Sequence, residues 1–163
     1  MFGYQPLLNR VLIYSLCLSQ FTFSDISITS DGPLQVDLKK GSAVYSGNCV
    51  TSTPDWELKC SVSTNIQTKH LYIKGPNDQK AQPKTKLHSI VFIGNCSLIH
   101  RISSAKLYSM FVTYRHSSRS FYSSGIGLQL ITKEASYIST SNDSNIITYL
   151  DGSYALHGGW EAL

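Results

Sequence analysis

An all-β domain built as an antiparallel sandwich is the fold this sequence predicts, and three observations predict it. Apolar and polar residues alternate with a period of two through much of the chain, as in a strand with one buried face. Clusters of Gly, Pro, Asn and Asp interrupt those runs at short intervals, the spacing expected of a sandwich or barrel. No long stretch shows the 3.6-residue spacing of an amphipathic helix.

Composition agrees with a folded domain. Apolar residues make up 42% of the 163 positions, with ten Tyr and six Phe, while only 15% are charged. Chains that stay disordered carry more charge and fewer aromatics.

The first segment is distinct. Met1 to Asn9 holds no acid, and Arg10 precedes the apolar run Val11 to Leu18. That run is too short to span a bilayer and has the length of a secretory signal core. Small residues flank two cleavage points, Cys17-Leu18-Ser19 and Thr22-Phe23-Ser24. The second is preferred because Asp25 opens a polar stretch, so residues 1–24 are predicted to be a signal peptide and the product to be secreted and extracellular. No later segment reaches the roughly 18 apolar residues of a transmembrane anchor.

The strands follow in order. Ile26 to Thr29 and Leu34 to Leu38 alternate, separated by the turn Ser30-Asp31-Gly32-Pro33. Ala43 to Tyr45 is a short strand. Trp56 to Ser63 is the clearest, with Trp56, Leu58, Cys60 and Val62 on one face. Leu71 to Ile73 ends at the turn Gly75 to Asp78, and Gln79 to Lys86 is polar and reads as a loop. Ile90 to Ile93 is a continuous apolar run that fits a strand buried on both faces. Leu107 to Tyr114 and Gly125 to Ile131 are further strands, separated by a Ser-rich basic stretch, His116 to Ser124, read as a surface loop. Ile146 to Leu150 is the last predicted strand, and His157 to Leu163 reads as a frayed end. The division expected is a domain over 25–133, then a last strand and flexible tail over 134–163.

Charge is unevenly placed. The net charge is +4, and no Asp or Glu lies between Asp78 and Glu134. That interval holds Lys80, Lys84, Lys86, Arg101, Lys106, Arg115, Arg119 and Lys133. Such a block attracts polyanions. The two loops within it, Gly75 to Lys86 and His116 to Ser124, are the predicted partner face, through Lys80, Lys84, Arg115, Arg119, Phe121 and Tyr122. Loop aromatics beside Arg suit recognition. Outside the cell the partner would be a protein or an anionic glycan, not nucleic acid.

Without Cys17, the remaining Cys49, Cys60 and Cys96 are odd in number, so one pair leaves one thiol over. Their spacings match no zinc or redox motif. Asn95-Cys96-Ser97 and Asn142-Asp143-Ser144 fit the N-glycosylation rule, Asn142 better because its stretch is polar. The five His lie in no nucleophile or zinc-protease motif, so no enzyme, metal or cofactor is expected.

The middle of the chain resembles the CUB family, a jelly-roll β-sandwich of extracellular proteins, in its divergent nematode-like form. Asn48-Cys49 resembles the family's asparagine-cysteine start of an early strand. Leu71 to Asp78 looks like its tyrosine-containing strand and aspartate-glycine-proline turn. Ile93-Gly94-Asn95-Cys96 is similar to its phenylalanine-cysteine-glycine region, and Ile102 to Leu107 to its isoleucine-serine-serine strand start. Phe111-Val112-Thr113 and Gly125 to Leu128 resemble its last two strands. The resemblance implies an extracellular binding module, with a role at an epithelial surface or in innate defence. It also implies a Cys60–Cys96 bridge, with Cys49–Cys60 the alternative if two adjacent strands bring them together. The sequence departs from the family in lacking cysteines for two bridges, and Lys74 stands where a calcium-binding aspartate would, so no metal site carries over. Two rivals remain. An immunoglobulin-like immune-modulating protein would bridge its two sheets through Cys96, packed on Trp56. A secreted hydrolase would join a His to a Ser or Cys in a concave site.

Overall fold

The computed structural model describes residues 26–73 and 82–163, and every regular element among them is a β-strand. The predicted signal peptide and Lys80 lie outside the described residues. All strand pairs are antiparallel and belong to one connected sheet. The all-β antiparallel sandwich is therefore the fold.

The sheet has two halves that share two long strands. One half runs β1 (Ser27–Ser30), β4 (Cys49–Ser52), β5 (Trp56–Cys60), β7 (Gln82–His100), β8 (Lys106–Arg115), β10 (Gln129–Ile131), β11 (Ser136–Ser139) and β14 (Trp160–Ala162). The other runs β2 (Leu34–Asp37), β3 (Ser42–Ser46), β6 (Ser63–Ile73), then β7 and β8 again, β9 (Ser120–Ser124), β12 (Asn145–Tyr149) and β13 (Tyr154–His157). β7 pairs with β6 up to Ile93 and with β5 from Ser97 onward. β8 pairs with β10 through Lys106–Tyr108 and with β9 through Thr113–Arg115.

The change of partners marks a bend. The β7–β8 register shifts between Ile93 and Cys96, and an extra residue on one strand kinks it. Gly94 has φ +86°, and a Cβ there would meet the Val62 side chain at 2.4 Å. Only glycine fits that corner without strain. Backbone bonds continue across it, from Ser61 N to Gly94 O at 2.7 Å and Val62 N to Ile93 O at 3.0 Å. The sheet thus folds back on itself, and its halves face each other. Trp56 of one half lies 5.1 Å from Phe121 of the other, ring to ring, and its Nε1 donates to Leu150 O at 2.9 Å.

Register aligns the inward residues into rows that cross the strands. One row runs Ile28, Thr51, Leu58, Leu98, Leu107, Leu130, Tyr137. The facing half carries Leu34, Tyr45, Thr64, Phe92, Val112 on one side of β8 and Ser123, Ile146, Leu156 on the other. Row centres are sealed: Leu58, Phe92, Leu98, Leu130 and Ile146 are all 2% exposed or less. Each such side chain contributes about 1.5–3 kcal/mol by leaving water.

Several expectations are corrected here. His116 to Ser124 is not one loop: only a short turn precedes β9. The Ser content hid a strand, because Ser123 is buried and its hydroxyl donates to Phe111 O at 2.8 Å. Residues 82–86, read as loop, belong to β7. Within His157 to Leu163, read as a frayed end, Trp160–Ala162 form β14. Gly158, which suggested fraying, is another corner at φ +83°, where a Cβ would meet the Ser144 backbone at 2.7 Å. Val62, grouped with Trp56, is 54% exposed because β5 ends at Cys60 and the bend begins.

Candidate functional site

The β8–β9 turn, residues 116–119, lies beside the part of β7 that pairs with the end of β8. Lys86, Arg115 and Arg119 are exposed there. The register brings them together: Ser89 pairs with Arg115, and His116 N donates to His88 O at 3.2 Å. The Arg115 guanidinium sits 4.8 Å over the Tyr122 ring, a cation–π contact that orients it. Arg119 occupies a left-handed turn position, φ 49°, and its N–H donates to His116 O at 3.3 Å. The His116 imidazole is held below its ordinary pKa, first by burial and then by the positive charges of Lys86 and Arg119. Ion pairs among the described residues join Lys40 to Asp37 and both Lys59 and Arg101 to Glu57, away from Lys86, Arg115 and Arg119.

Of the predicted partner residues, Arg115, Arg119 and Tyr122 are therefore gathered at one place. Lys84 lies on β7 with its backbone opposite Leu71. Phe121 is corrected to a core residue: it is 8% exposed and packs on Trp56 and on Tyr114 at 5.2 Å. Period two along β9 sends it inward and its neighbour Tyr122 outward. Lys86 closes the first predicted loop but was not named as a contact, because the β7–β8 pairing that brings it and Arg119 near His116 is not visible in sequence.

The second feature is the pair of open ends. The inward rows finish on edge strands where burial falls away. Ile28 and Leu34 at one end, and Tyr137, Leu156 and Trp160 at the other, are only partly buried. Val36 is 39% and Tyr154 38% exposed. The apolar interior thus reaches solvent at both ends of the sandwich.

Cys49, Cys60 and Cys96 are buried free thiols on adjacent strands of a single half. The inter-sheet bridge that would mark an immunoglobulin-like domain is excluded by that placement. His100 Nδ1 lies 2.7 Å from Ser103 Oγ, and this contact closes the β7–β8 turn. Ser103 N also donates to Nδ1 at 3.2 Å, and His100 is 2% exposed with its ring 4.6 Å from Trp56. Among the described residues no group of His, Cys, Asp or Glu is placed to hold a metal ion, and no helix is long and apolar enough to cross a membrane.

This folded-over sheet has a solved structural neighbour. The chain is similar in fold to LptH. That protein is the LptA-homologous periplasmic component of the lipopolysaccharide transport device of Pseudomonas aeruginosa, and the match covers 80% of each chain with a TM-score of 0.58 at 12% identity. At that identity the likeness shows fold alone. No family model matches the chain, and no curated protein matches it.

These findings correct the CUB reading and the secreted epithelial or innate-defence role drawn from it. The quoted resemblances fall largely on turns and bends: Asn48-Cys49 and Gly94-Asn95-Cys96 sit where the chain crosses between halves. They reflect corner chemistry common to antiparallel sheets, not shared topology. The glycoprotein reading goes with it: Asn95 and Asn142 are exposed, but the likeness is to a bacterial periplasmic protein.

Proposed function

We propose that the chain is a non-catalytic binding module for an amphipathic anionic glycolipid, acting outside the cytoplasm. The observation that carries this reading is the pair of open ends, where apolar rows built for burial emerge beside solvent. Acyl chains of a lipid would complete those rows at Ile28, Leu34 and Val36, or at Tyr137, Leu156 and Tyr154. The cationic cluster of Lys86, Arg115 and Arg119 supplies charge for phosphates or acidic sugars, since long-range attraction needs no formed pocket. The likeness to a lipopolysaccharide transport component supports the same ligand class.

The test is co-purification and direct binding of lipopolysaccharide, compared with its de-acylated polysaccharide and with heparin. Retention of the acylated form, with loss on de-acylation, is the expected result. Equal retention of heparin and de-acylated glycan would reduce the reading to polyanion binding. No retention of any of the three would overturn it.

A further inference from the structure

Three cysteines stand side by side across three neighbouring strands. Cys49 on β4 is directly opposite Cys60 on β5. Lys59 of β5 is opposite Ser97 of β7, so the next position along places Cys60 beside Cys96. All three face the interior and are 4% exposed or less. Adjacent strands set cross-strand Cα atoms about 4.5–5.5 Å apart, inside the roughly 4.4–6.8 Å that a disulfide spans. Cys49 and Cys96 are two strands apart, about 9.5 Å by strand spacing, beyond the roughly 7 Å limit.

We propose that this row is a disulfide site in which Cys60 is the obligatory member, bridging to Cys96 or to Cys49 and never leaving those two to pair with each other. A row of three then has a physical meaning. One thiol is always left over, and it is always a neighbour of Cys60, able to exchange with the bridge.

The chemistry is thiol–disulfide exchange with a small or protein disulfide as oxidant. The Cys60 thiolate attacks the oxidant's S–S bond, forms a mixed disulfide and releases one thiolate. That thiolate takes the proton of Cys96, whose sulfur then attacks Cys60 Sγ and expels the second half of the oxidant, which takes up the proton Cys60 had given to solvent. Two cysteine thiols and one disulfide give one bridge and two released thiols. Cys49 can next attack Cys60 Sγ from the other side, expelling Cys96, to which the Cys49 proton passes, with no external electrons.

The surroundings favour Cys60 as the attacking group. Its Sγ lies 3.3 Å from Thr64 Oγ1. A hydrogen bond from the Cys96 thiol, ahead of all other causes, brings its pKa down to about 6, while Cys96 is pushed up by the same contact and by burial. Cys49 is pushed up by burial first. A thiolate is the nucleophile in exchange. Burial means the oxidant reaches the row during folding or local opening.

Trypsin separates the three, in peptides 41–59, 60–69 and 87–101. The full chain is treated with glutathione disulfide, once folded and once while refolding from denaturant. Remaining thiols are alkylated in acid, and the unreduced digest is mapped by mass. The expected product links 60–69 to 87–101, with a second species linking 60–69 to 41–59. Cys60→Ser should abolish both. Because that variant can fail to fold, Cys49→Ser and Cys96→Ser are mapped too, and each should keep the one remaining bridge through Cys60. A link between 41–59 and 87–101, or Cys49, Cys60 and Cys96 all alkylated in both arms, would overturn the proposal.

Discussion

The middle of the sandwich and its two ends are made from the same rows yet differ in what they can do. At the middle, Leu98 is 1% exposed and Val112 0%, and Trp56, Phe121 and Tyr114 pack together between the halves. At the ends, Val36 and Tyr154 continue the pattern but stand more than a third exposed. The residue types are similar; the number of neighbouring strands is not. A central strand is covered on both sides, whereas β1, β2, β13 and β14 each have one. The contrast teaches that stability and binding occupy different parts of one continuous apolar surface.

The comparison can be broken most forcefully at the centre. Leu98→Ala should cost about 2–5 kcal/mol of stability, the range for buried Leu truncations, whereas Val36→Ala should cost about 0.5 kcal/mol or less. Urea denaturation of both variants checks this, and equal losses would erase the distinction between middle and end. Next in size is the bend. Gly94→Ala forces a side chain into left-handed backbone against Val62, at a cost of about 1–3 kcal/mol, read in the same titration.

Replacing Arg115 and Arg119 together by Ala sharpens the functional side. Both are exposed, so stability should move by about 0.5 kcal/mol or less. Retention of anionic glycolipid should fall at low salt and converge with the wild type at high salt, where screening removes the difference. The smallest effect concerns His116. Its folded pKa lies below 6.5, so the unfolded chain binds the proton more readily. Its contribution is present above pH 6.5 and is lost as pH falls through the folded pKa. Stability of the wild type should therefore decline more than that of His116→Gln on acidification, and removing the neighbouring charge with Arg119→Ala should narrow the gap.

Much of the fold was legible because period two is a local property. Trp56, Leu58 and Cys60 were placed on one face by spacing alone, and the strands at 107–114 and 146–150 stand within a residue or two of their observed bounds. The errors share a cause. Ser120 to Ser124, Tyr154 to His157 and Trp160 to Ala162 carry weak or polar patterns, and each is a strand because a partner strand lies beside it. The site was legible in part. A run free of acid identified Arg115, Arg119 and Tyr122, but Phe121 was misassigned because a turn and the strand after it were read as one loop.

The sequence by itself determined that the chain folds as antiparallel strands with one apolar face, and that the stretch between Asp78 and Glu134 carries cations without acids. Both follow from composition and spacing within a few residues. Only the tertiary structure decided that the sheet bends at Gly94 and closes on itself, that Lys86 and Arg119 both lie near His116, that the three cysteines form a row, and that the apolar rows end open. Each of these depends on which strands become neighbours. Pairing between residues far apart in the chain is set by global packing, which no local pattern records.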